Sequence, residues 1–269
     1  MIQSRSLLNL ESIQKSQKSK MLPKRFKPAG TFELIRLGGD HDGGYLVDPK
    51  SIQESSSLLA LGIGRNWSFE EDFIEKKRVK VHAYDYSIGT SYWIKHFFKR
   101  LLSILIGRFT APFKAIKLYL EFKEFFKSHA TLFLEKIGTA PGCDTNLNQA
   151  MERLDDAPIF LKVDIEGYEY QILDEIVACS DRLSGLVIEF HLVSKNKEKI
   201  EKFLTEIKLE LIHIHPNNNR LDDEGDPKAI ELSFSKNPKK IGNRFMHPHE
   251  LDQDNVPRKE AVDLRFSEI

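Results

Sequence analysis

The chain has 269 residues, of which 40 are basic and 40 acidic, so its formal net charge is zero and a global affinity for polyanions is excluded. Its two cysteines exclude a disulfide framework and a cysteine-rich zinc site. No apolar run approaches the roughly 20 residues of a membrane span, and the N-terminal residues lack the apolar core of a signal peptide. A soluble, cytoplasmic protein is therefore expected.

A basic N-terminal arm, 1–30, precedes two short predicted strands, 32–36 and 45–47, on either side of a glycine-rich turn. Short apolar runs separated by helical patterns then predict a largely parallel α/β sheet with right-handed crossovers. The strands of this sheet are predicted at residues 58–61, 79–84, 131–134, 159–163, 186–190, 211–214 and 230–234. The charged C-terminal tail, 236–269, is expected to lie on the surface or to be partly disordered.

The longest helical stretch, 92–128, is basic and aromatic, and is expected to break near Gly107 and Pro112. One interpretation is a pair of amphipathic helices that pack their apolar residues on the sheet and leave the lysines in solvent. The alternative is a lid over a substrate, or a surface that contacts an anionic glycan, lipid headgroup or nucleic acid. No specific nucleic-acid partner is expected, whereas peripheral contact with an anionic surface stays open.

The predicted strand at residues 159–163 ends in two carboxylates and a glycine, within the sequence IFLKVDIEGYE. Asp164 and Glu166 are two residues apart, so both side chains leave an extended backbone on the same side. Ligands of open α/β sheets bind just beyond the carboxyl ends of the strands, which makes this pair a candidate for an active site. Glu169 is expected to cap the helix that follows.

This segment resembles the signature of the FkbM-type S-adenosylmethionine-dependent methyltransferases, in which a strand leads into D-x-E-G and a further acid. The upstream TNLNQAMERL and the downstream GLVIEFH resemble the helix and the strand that flank this signature in the family. RLGGDHDGGYLV and ALGIGRNWSFE are similar to a eukaryotic-type branch, the methyltransferase-like proteins. The resemblance covers most of the chain.

The resemblance implies a Rossmann-like class I methyltransferase domain, 31–235, with the stretch 92–128 as a helical insertion. Its α/β sheet should be doubly wound, mostly parallel and seven-stranded, with the last strand antiparallel. The family also implies S-adenosylmethionine as the cofactor and a hydroxyl group, often on a sugar, as the methyl acceptor.

A cofactor site is predicted where the first strand of the sheet ends. Gly62 and Gly64 follow that strand, and their missing Cβ atoms let a ligand approach the backbone closely. Asp85 ends the second strand, where a carboxylate can accept hydrogen bonds from ribose hydroxyls. Nicotinamide binders need a third glycine where this chain has Trp67, which disfavours an oxidoreductase.

Ala60 stands where many methyltransferases have an acid that binds the methionine ammonium of the cofactor. Since a desolvated ammonium needs an acceptor, other acids are the candidates. They are Glu70, Asp72, Asp40 and Asp42. Gly43, beside Asp42 in the glycine-rich turn, is included in the predicted cofactor site, and a purely structural hairpin turn is the alternative.

An alcohol acceptor needs a general base, or a metal that lowers the pKa of its hydroxyl. Asp164 is the first candidate for the base, and His191 or His213, at the ends of the next two strands, could serve instead. Asp164 and Glu189 offer oxygens suited to Mg²⁺ or Mn²⁺, with His191 or His213 as further ligands. A hydrogen-bonded network without metal is the alternative.

The sequence thus predicts an S-adenosylmethionine-dependent O-methyltransferase that acts on a sugar or another small hydroxylated acceptor. A catalytically silent relative, which docks an anionic partner through the basic insertion, is the alternative that Ala60 favours. The polar segment 215–223 could recognise substrate hydroxyls, or could be an exposed loop. The sequence does not predict the oligomeric state.

Overall fold

The computed structural model describes residues 21–223 and 226–267. Most of the predicted basic arm, residues 1–20, therefore lies outside the described residues. The central feature of the fold is a seven-stranded sheet. Its strands, in chain order, are β1 (Ser57–Leu61), β2 (Lys80–Tyr84), β3 (Thr131–Phe133), β4 (Ile159–Val163), β5 (Leu183–His191), β6 (Glu210–Leu221) and β7 (Pro227–Ser235).

The spatial order of the strands is β3, β2, β1, β4, β5, β7, β6. The first five are parallel to one another, and β7 runs antiparallel to both β5 and β6. The chain leaves β1 in one direction along the sheet and later returns to start β4 on the other side. The predicted α/β, doubly wound, mostly parallel sheet is confirmed, and its switch point between β1 and β4 is where such sheets bind ligands.

The helices cover both faces of the sheet. In chain order they are α1 (Pro49–Glu54), α2 (Ser68–Lys76), α3 (Thr90–Leu102), α4 (Ala111–Ser128), α5 (Leu147–Glu152), α6 (Leu173–Ala178) and α7 (Val193–Glu206). Leu59 and Leu61 of β1 belong to the hydrophobic cluster that α5, α6 and α7 share. Leu58 and Ala60 point the other way, into the clusters formed by α1 to α4. This alternation explains why β1 and β4 are buried along their whole length and, apart from Ser57 and Lys162, apolar.

Short 3₁₀ turns and strand pairs complete the fold. The turns are Lys24–Phe26, Ser103–Ile106, Glu169–Gln171 and Ser180–Arg182. Ile35–Leu37 pairs antiparallel with Tyr45–Val47, which confirms the predicted hairpin around the glycine-rich turn. The long helical stretch breaks as predicted, because α3 ends at Leu102, Gly107 takes a φ of +80°, and Pro112 lies in the first turn of α4.

The interpretation of residues 215–223 as an exposed loop was wrong for 215–218, which are buried, whereas 219–221 are exposed although they belong to the strand. Strand β6 continues to Leu221, and Asn217 and Asn218 are buried within it. The amide of Asn217 donates to Oε1 of Glu189 at 2.9 Å, and that of Asn218 donates to the carbonyl of Val256 at 3.1 Å. A polar run can therefore continue the strand, since its buried amides have partners.

The described part of the C-terminal tail belongs to the folded body. Lys240–Gly242 pairs antiparallel with Thr31–Phe32, and Arg265–Phe266 pairs parallel with Met21–Leu22. Leu264 is buried in the cluster of α5 to α7. The expectation of partial disorder does not hold for these residues, because strand pairing and apolar burial fix them. The expected surface position holds for Lys240, Ile241 and Arg265, which are exposed.

Candidate active site

Three adjoining cavities lie along the rim of the sheet at the carboxyl ends of its parallel strands. The glycine-loop cavity, about 600 Å³, is lined by Gly62, Gly64 and Asp85. The His191 cavity, about 330 Å³, is lined by residues of β5, β6 and β7. The Tyr86 cavity, about 180 Å³, lies on the β2 and β3 side. Asp164 and Glu166 line all three, so the acid pair predicted from the sequence lies where the cavities meet.

The glycine loop after β1 is shaped by a close approach of two strand ends. Gly62 has a φ of +80°, and a Cβ on it would lie 1.6 Å from the carbonyl oxygen of Asp164. Only glycine fits where the end of β1 passes the end of β4. Gly64 has a φ of +56° and open space where its Cβ would point, which leaves room for a ligand over the loop.

Asp85 lines both the glycine-loop cavity and the Tyr86 cavity, but its carboxylate already binds the loop. Oδ2 accepts the backbone N–H groups of Ile63, at 3.1 Å, and Gly64, at 2.7 Å. Oδ1 accepts the backbone N–H and the hydroxyl of Ser87, at 2.8 and 2.7 Å. Four donors occupy its four lone-pair sites, so the observed role of Asp85 is to order the glycine loop.

Two of the acids considered for the cofactor ammonium have partners within the protein. Glu70 is completely buried and its Oε1 binds Nζ of Lys162 at 2.9 Å, so it is not exposed in the cavity. Asp72 accepts the backbone N–H of Gly38 at 2.7 Å. Asp42, by contrast, is exposed and lines both the glycine-loop cavity and the His191 cavity.

Gly43 lies in the glycine-rich turn beside Asp42. It has a φ of +81°, and a Cβ on it would lie only 2.5 Å from the side-chain amide nitrogen of Asn66. That amide donates to the carbonyl of Asp42 at 3.1 Å. The glycine-rich turn is thereby fixed beside the glycine loop.

Lys162 is a residue of the cavity lining that the sequence reasoning missed. It lies on β4, is buried, and lines the glycine-loop cavity. Its ammonium binds Glu70 and lies 5.5 Å from the ring centroid of Phe69. A lysine within an otherwise apolar buried strand was the available signal, because a buried lysine needs a charged partner.

Asp164 combines burial with a dense charge environment. Burial raises the pKa of its carboxyl to about 6, although Lys162 and His191 act in the opposite direction. The hydroxyl of Tyr45 donates to Oδ2 at 3.3 Å, and Oδ1 lies 3.9 Å from Nε2 of His191. The side chain keeps 29% exposure toward the cavities. It is therefore an ionisable group with a pKa close to neutrality that a ligand can reach.

His191 is surrounded by carboxylates. Its Nε2 lies 3.6 Å from Glu166, and its Nδ1 lies 3.3 Å from Oε1 of Glu169, in ion-pair range but not aligned for a hydrogen bond. Burial lowers the pKa of His191, but Glu169, Glu189 and Asp164 outweigh that effect and raise it to about 9. The imidazole is thus a cation at neutral pH.

Glu169 does not cap a helix as expected. It is completely buried, and its two oxygens accept the backbone N–H groups of Gly167, at 2.8 Å, and His191, at 2.6 Å. The third acid of the motif therefore ties the turn after β4 to the end of β5. Glu189, also buried, accepts from Asn217, and burial together with the nearby Asp164 raises its pKa well above the ordinary value.

His213 does not join this group. The histidine is buried against the C-terminal segment, where its Nε2 lies 2.9 Å from Oδ1 of Asp252. His215 lies 3.4 Å from the same oxygen and contacts Asn255 at 3.1 Å. The prediction that His213 lies at the reacting centre was wrong. His213 pairs instead with Asp252, which belongs to the C-terminal segment.

A possible cation site differs from the predicted one. Within the described ranges, the ligand atoms of Asp164, Glu166 and His191 all lie within 4.8 Å of one another. These are hard oxygens with one imidazole, a set that Mg²⁺ or Mn²⁺ can use. Glu189 is not in this group, since its carboxylate lies against Asn217. The protonated His191 competes with a cation for the same space.

Comparisons with known proteins support methyltransferase chemistry at this site. Residues 123–221 match the family model of the methyltransferase FkbM domain, which confirms the predicted resemblance and supports S-adenosylmethionine-dependent methyl transfer. The matched segment contains β3 to β6, including Asp164, Glu169 and His191. A search of curated proteins found no match.

Solved structures of several methyltransferases are similar at low identity. An rRNA methylase from Streptococcus thermophilus is 12% identical over 70% of this chain and 93% of its own, with a TM-score of 0.39. A precorrin-6y C5,15-methyltransferase from Geobacter metallireducens is 13% identical over 69% and 84%, with a TM-score of 0.35. TYW2 from M. jannaschii, solved with AdoMet, is 10% identical over 78% and 94%, with a TM-score of 0.32. The fold assignment itself rests on the strand order.

Proposed function

We propose that the protein transfers the methyl group of S-adenosylmethionine to a hydroxyl oxygen of a sugar or another small hydroxylated acceptor. The observation that carries this proposal is the position of Asp164, an acid with a pKa of about 6, at the junction of three cavities. The open glycine loop lies on one side of Asp164, and the polar His191 cavity lies on the other.

The glycine-loop and Tyr86 cavities fit the cofactor. Gly64 leaves open space over the loop, and Asp42 offers a carboxylate for the ammonium group that Ala60 cannot bind. A ribose hydroxyl could replace the Ser87 hydroxyl on Asp85 without disturbing the two backbone N–H groups on its other oxygen. When bound, the cofactor supplies a methyl group on a cationic sulfonium.

Asp164 is the general base of the proposed reaction. At neutral pH the carboxyl of Asp164 is ionised, since its pKa is about 6, whereas His191 still holds its proton, since its pKa is about 9. A base is most effective when its pKa lies near the working pH. Asp164 would take the proton of the acceptor hydroxyl as the bond from that oxygen to the methyl carbon forms and the carbon–sulfur bond breaks, which leaves S-adenosylhomocysteine. The cation at His191 stabilises the ionised acid.

The His191 cavity is the proposed acceptor site. Its lining combines carboxylates, amides and two cationic side chains, namely Asp42, Glu189, Asn217, Asn219, Arg220 and Lys228. Such a set can accept from and donate to several hydroxyl groups at once, as a sugar requires. A divalent cation held by Asp164 and Glu166 is the alternative activator of the hydroxyl.

The test is transfer of a labelled methyl group from S-adenosylmethionine to a panel of hydroxylated metabolites. Asp164→Asn should lower the rate by about 10²-fold or more, the usual contribution of a general base, while S-adenosylhomocysteine still binds. Asp174→Asn, which changes an acid with 83% side-chain exposure, is the matched control and should keep full activity.

Loss of the activity on addition of a chelator would assign the hydroxyl activation to a cation. If the protein binds S-adenosylhomocysteine but no acceptor shows transfer that depends on Asp164, the catalytically silent alternative replaces this proposal. Transfer confined to amines would overturn the oxygen acceptor.

A further inference from the structure

The hairpin of α3 and α4 exposes an apolar tip. The hairpin tip, residues 101–113, comprises the end of α3, the connecting 3₁₀ turn and the start of α4. Ile104 is half-buried, and six other large apolar side chains of the tip are between 40% and 83% exposed: Leu101, Leu102, Leu105, Ile106, Phe109 and Phe113. The interpretation in which these residues pack on the sheet therefore fails at the tip. Isolated exposed apolar residues are ordinary on a protein surface, whereas a continuous group of this size marks an interaction site.

The base of the hairpin, in contrast, is firmly packed. Trp93 and Phe122 have ring centroids 4.8 Å apart, and Phe122 lies 5.7 Å from Trp67. All three residues are buried. The hairpin is anchored to the body at this end, so the tip extends from it in a fixed direction. Tyr92 and Leu118, near the base, line the glycine-loop cavity.

Positive charge surrounds the apolar tip although the chain as a whole is neutral. The hairpin carries only two acids, Glu121 and Glu124, and eight basic residues: Lys95, Lys99, Arg100, Arg108, Lys114, Lys117, Lys123 and Lys127. Across the described chain, Lys99, Arg108 and Lys114 form no ion pair. These cations are free to meet an external anion.

We infer that the hairpin tip docks on the surface of an anionic lipid bilayer. Apolar side chains flanked by lysine and arginine suit the boundary between acyl chains and negatively charged headgroups. In the described part of the chain no helix is long and apolar enough to cross a membrane. A second copy of the tip would bring like charges together, which disfavours self-association through the same face.

The experiment is sedimentation of the full chain with phosphatidylcholine vesicles that contain or lack phosphatidylserine. The wild type should sediment with the anionic vesicles, and salt should weaken this binding. Leu105→Ser combined with Phe109→Ser should lower the partition coefficient at least about tenfold, as should Arg108→Glu combined with Lys114→Glu.

Two exposed residues elsewhere provide matched controls. Met246→Ser removes an apolar side chain that is 62% exposed, and Lys195→Glu reverses an exposed charge on α7, so neither should change vesicle binding. Unchanged thermal unfolding shows that the tip variants fold. The docking proposal is overturned if the wild type does not bind anionic vesicles, or if the tip variants bind them as well as the controls do. It is also overturned if the tip mediates a dimer, or RNA binding, in place of vesicle binding.

Discussion

Replacement of His191 by glutamine separates the two candidates for the general base. In the wild type, kcat/KM should rise with pH as Asp164 ionises with a pKa of about 6, and fall as His191 loses its proton with a pKa of about 9. The side chain of glutamine keeps a polar group at this position but removes the cation that stabilises the ionised Asp164.

The size of the effect follows from the 3.9 Å between Nε2 of His191 and Oδ1 of Asp164. Two unit charges at this distance interact by about 1 kcal/mol in water and about 4 kcal/mol at an effective dielectric constant of 20. Asp164 is partly exposed, so its environment lies between these limits. The rising limb of the profile should move upward by about one to three pH units, and the falling limb due to His191 should disappear.

The assay is the pH dependence of kcat/KM for labelled methyl transfer. The control is His129→Gln, which replaces an exposed histidine directly after α4. The control should keep both limbs of the wild-type profile. If His191 were the base, the wild-type rate would instead rise near pH 9, and His191→Gln would abolish transfer. A rising limb that does not move in His191→Gln would also refute the reasoning, because it would mean that Asp164 and His191 do not interact.

The remaining predictions concern stability, measured as the free energy of unfolding in urea. Gly62→Ala should destabilise the protein by more than about 2 kcal/mol, because the new Cβ meets the carbonyl oxygen of Asp164. Gly64→Ala should destabilise it by only about 1 kcal/mol, because the space there is open. Equal losses of stability would contradict the close approach of the β1 and β4 ends at Gly62. Lys162→Met should cost about 3–5 kcal/mol by leaving Glu70 uncompensated, and adding Glu70→Leu should restore most of it. Asp252→Asn should destabilise by a similar amount, because His213 and His215 hold the pKa of this acid low despite its burial. The stability that Asp252 contributes should decrease as the pH falls, and an unchanged unfolding curve for Asp252→Asn would contradict this role.

The sheet could be predicted because its signal is local. Buried parallel strands are apolar on both faces. Leu58 to Leu61 meet that condition over four residues, and Ile159–Val163 meet it over five apart from Lys162. The acid pair at the end of β4 was predictable for the same reason, since strand ends define the ligand edge. Asp164 therefore lies where the sequence placed it.

The partners of the polar residues could not be predicted, because they depend on contacts between distant segments. His213 is drawn away by Asp252, and the amides of Asn217 and Asn218 extend β6 through partners on β5 and the C-terminal segment. The hydrogen bonds that fill the carboxylate of Asp85 could not be predicted either, because they depend on the conformation of the loops that supply the donors.

The role of Glu169 lay between these cases. Its place in the D-x-E-G-x-E pattern was visible, but its contact with the backbone N–H of His191 requires that β4 and β5 be neighbours. A largely parallel sheet was predicted, so a contact between the ends of two successive strands was within reach of the sequence. Lys162 was within reach as well, because a lysine inside a buried strand demands an acid nearby.

The central claim is that Asp164 lies between the cofactor and the acceptor. A crystal structure of the protein with S-adenosylhomocysteine tests it most directly. We expect the ligand to occupy the glycine-loop and Tyr86 cavities, with its sulfur facing the side of Asp164 that opens to the His191 cavity. A ligand bound elsewhere, or a sulfur turned away from Asp164, would contradict the account.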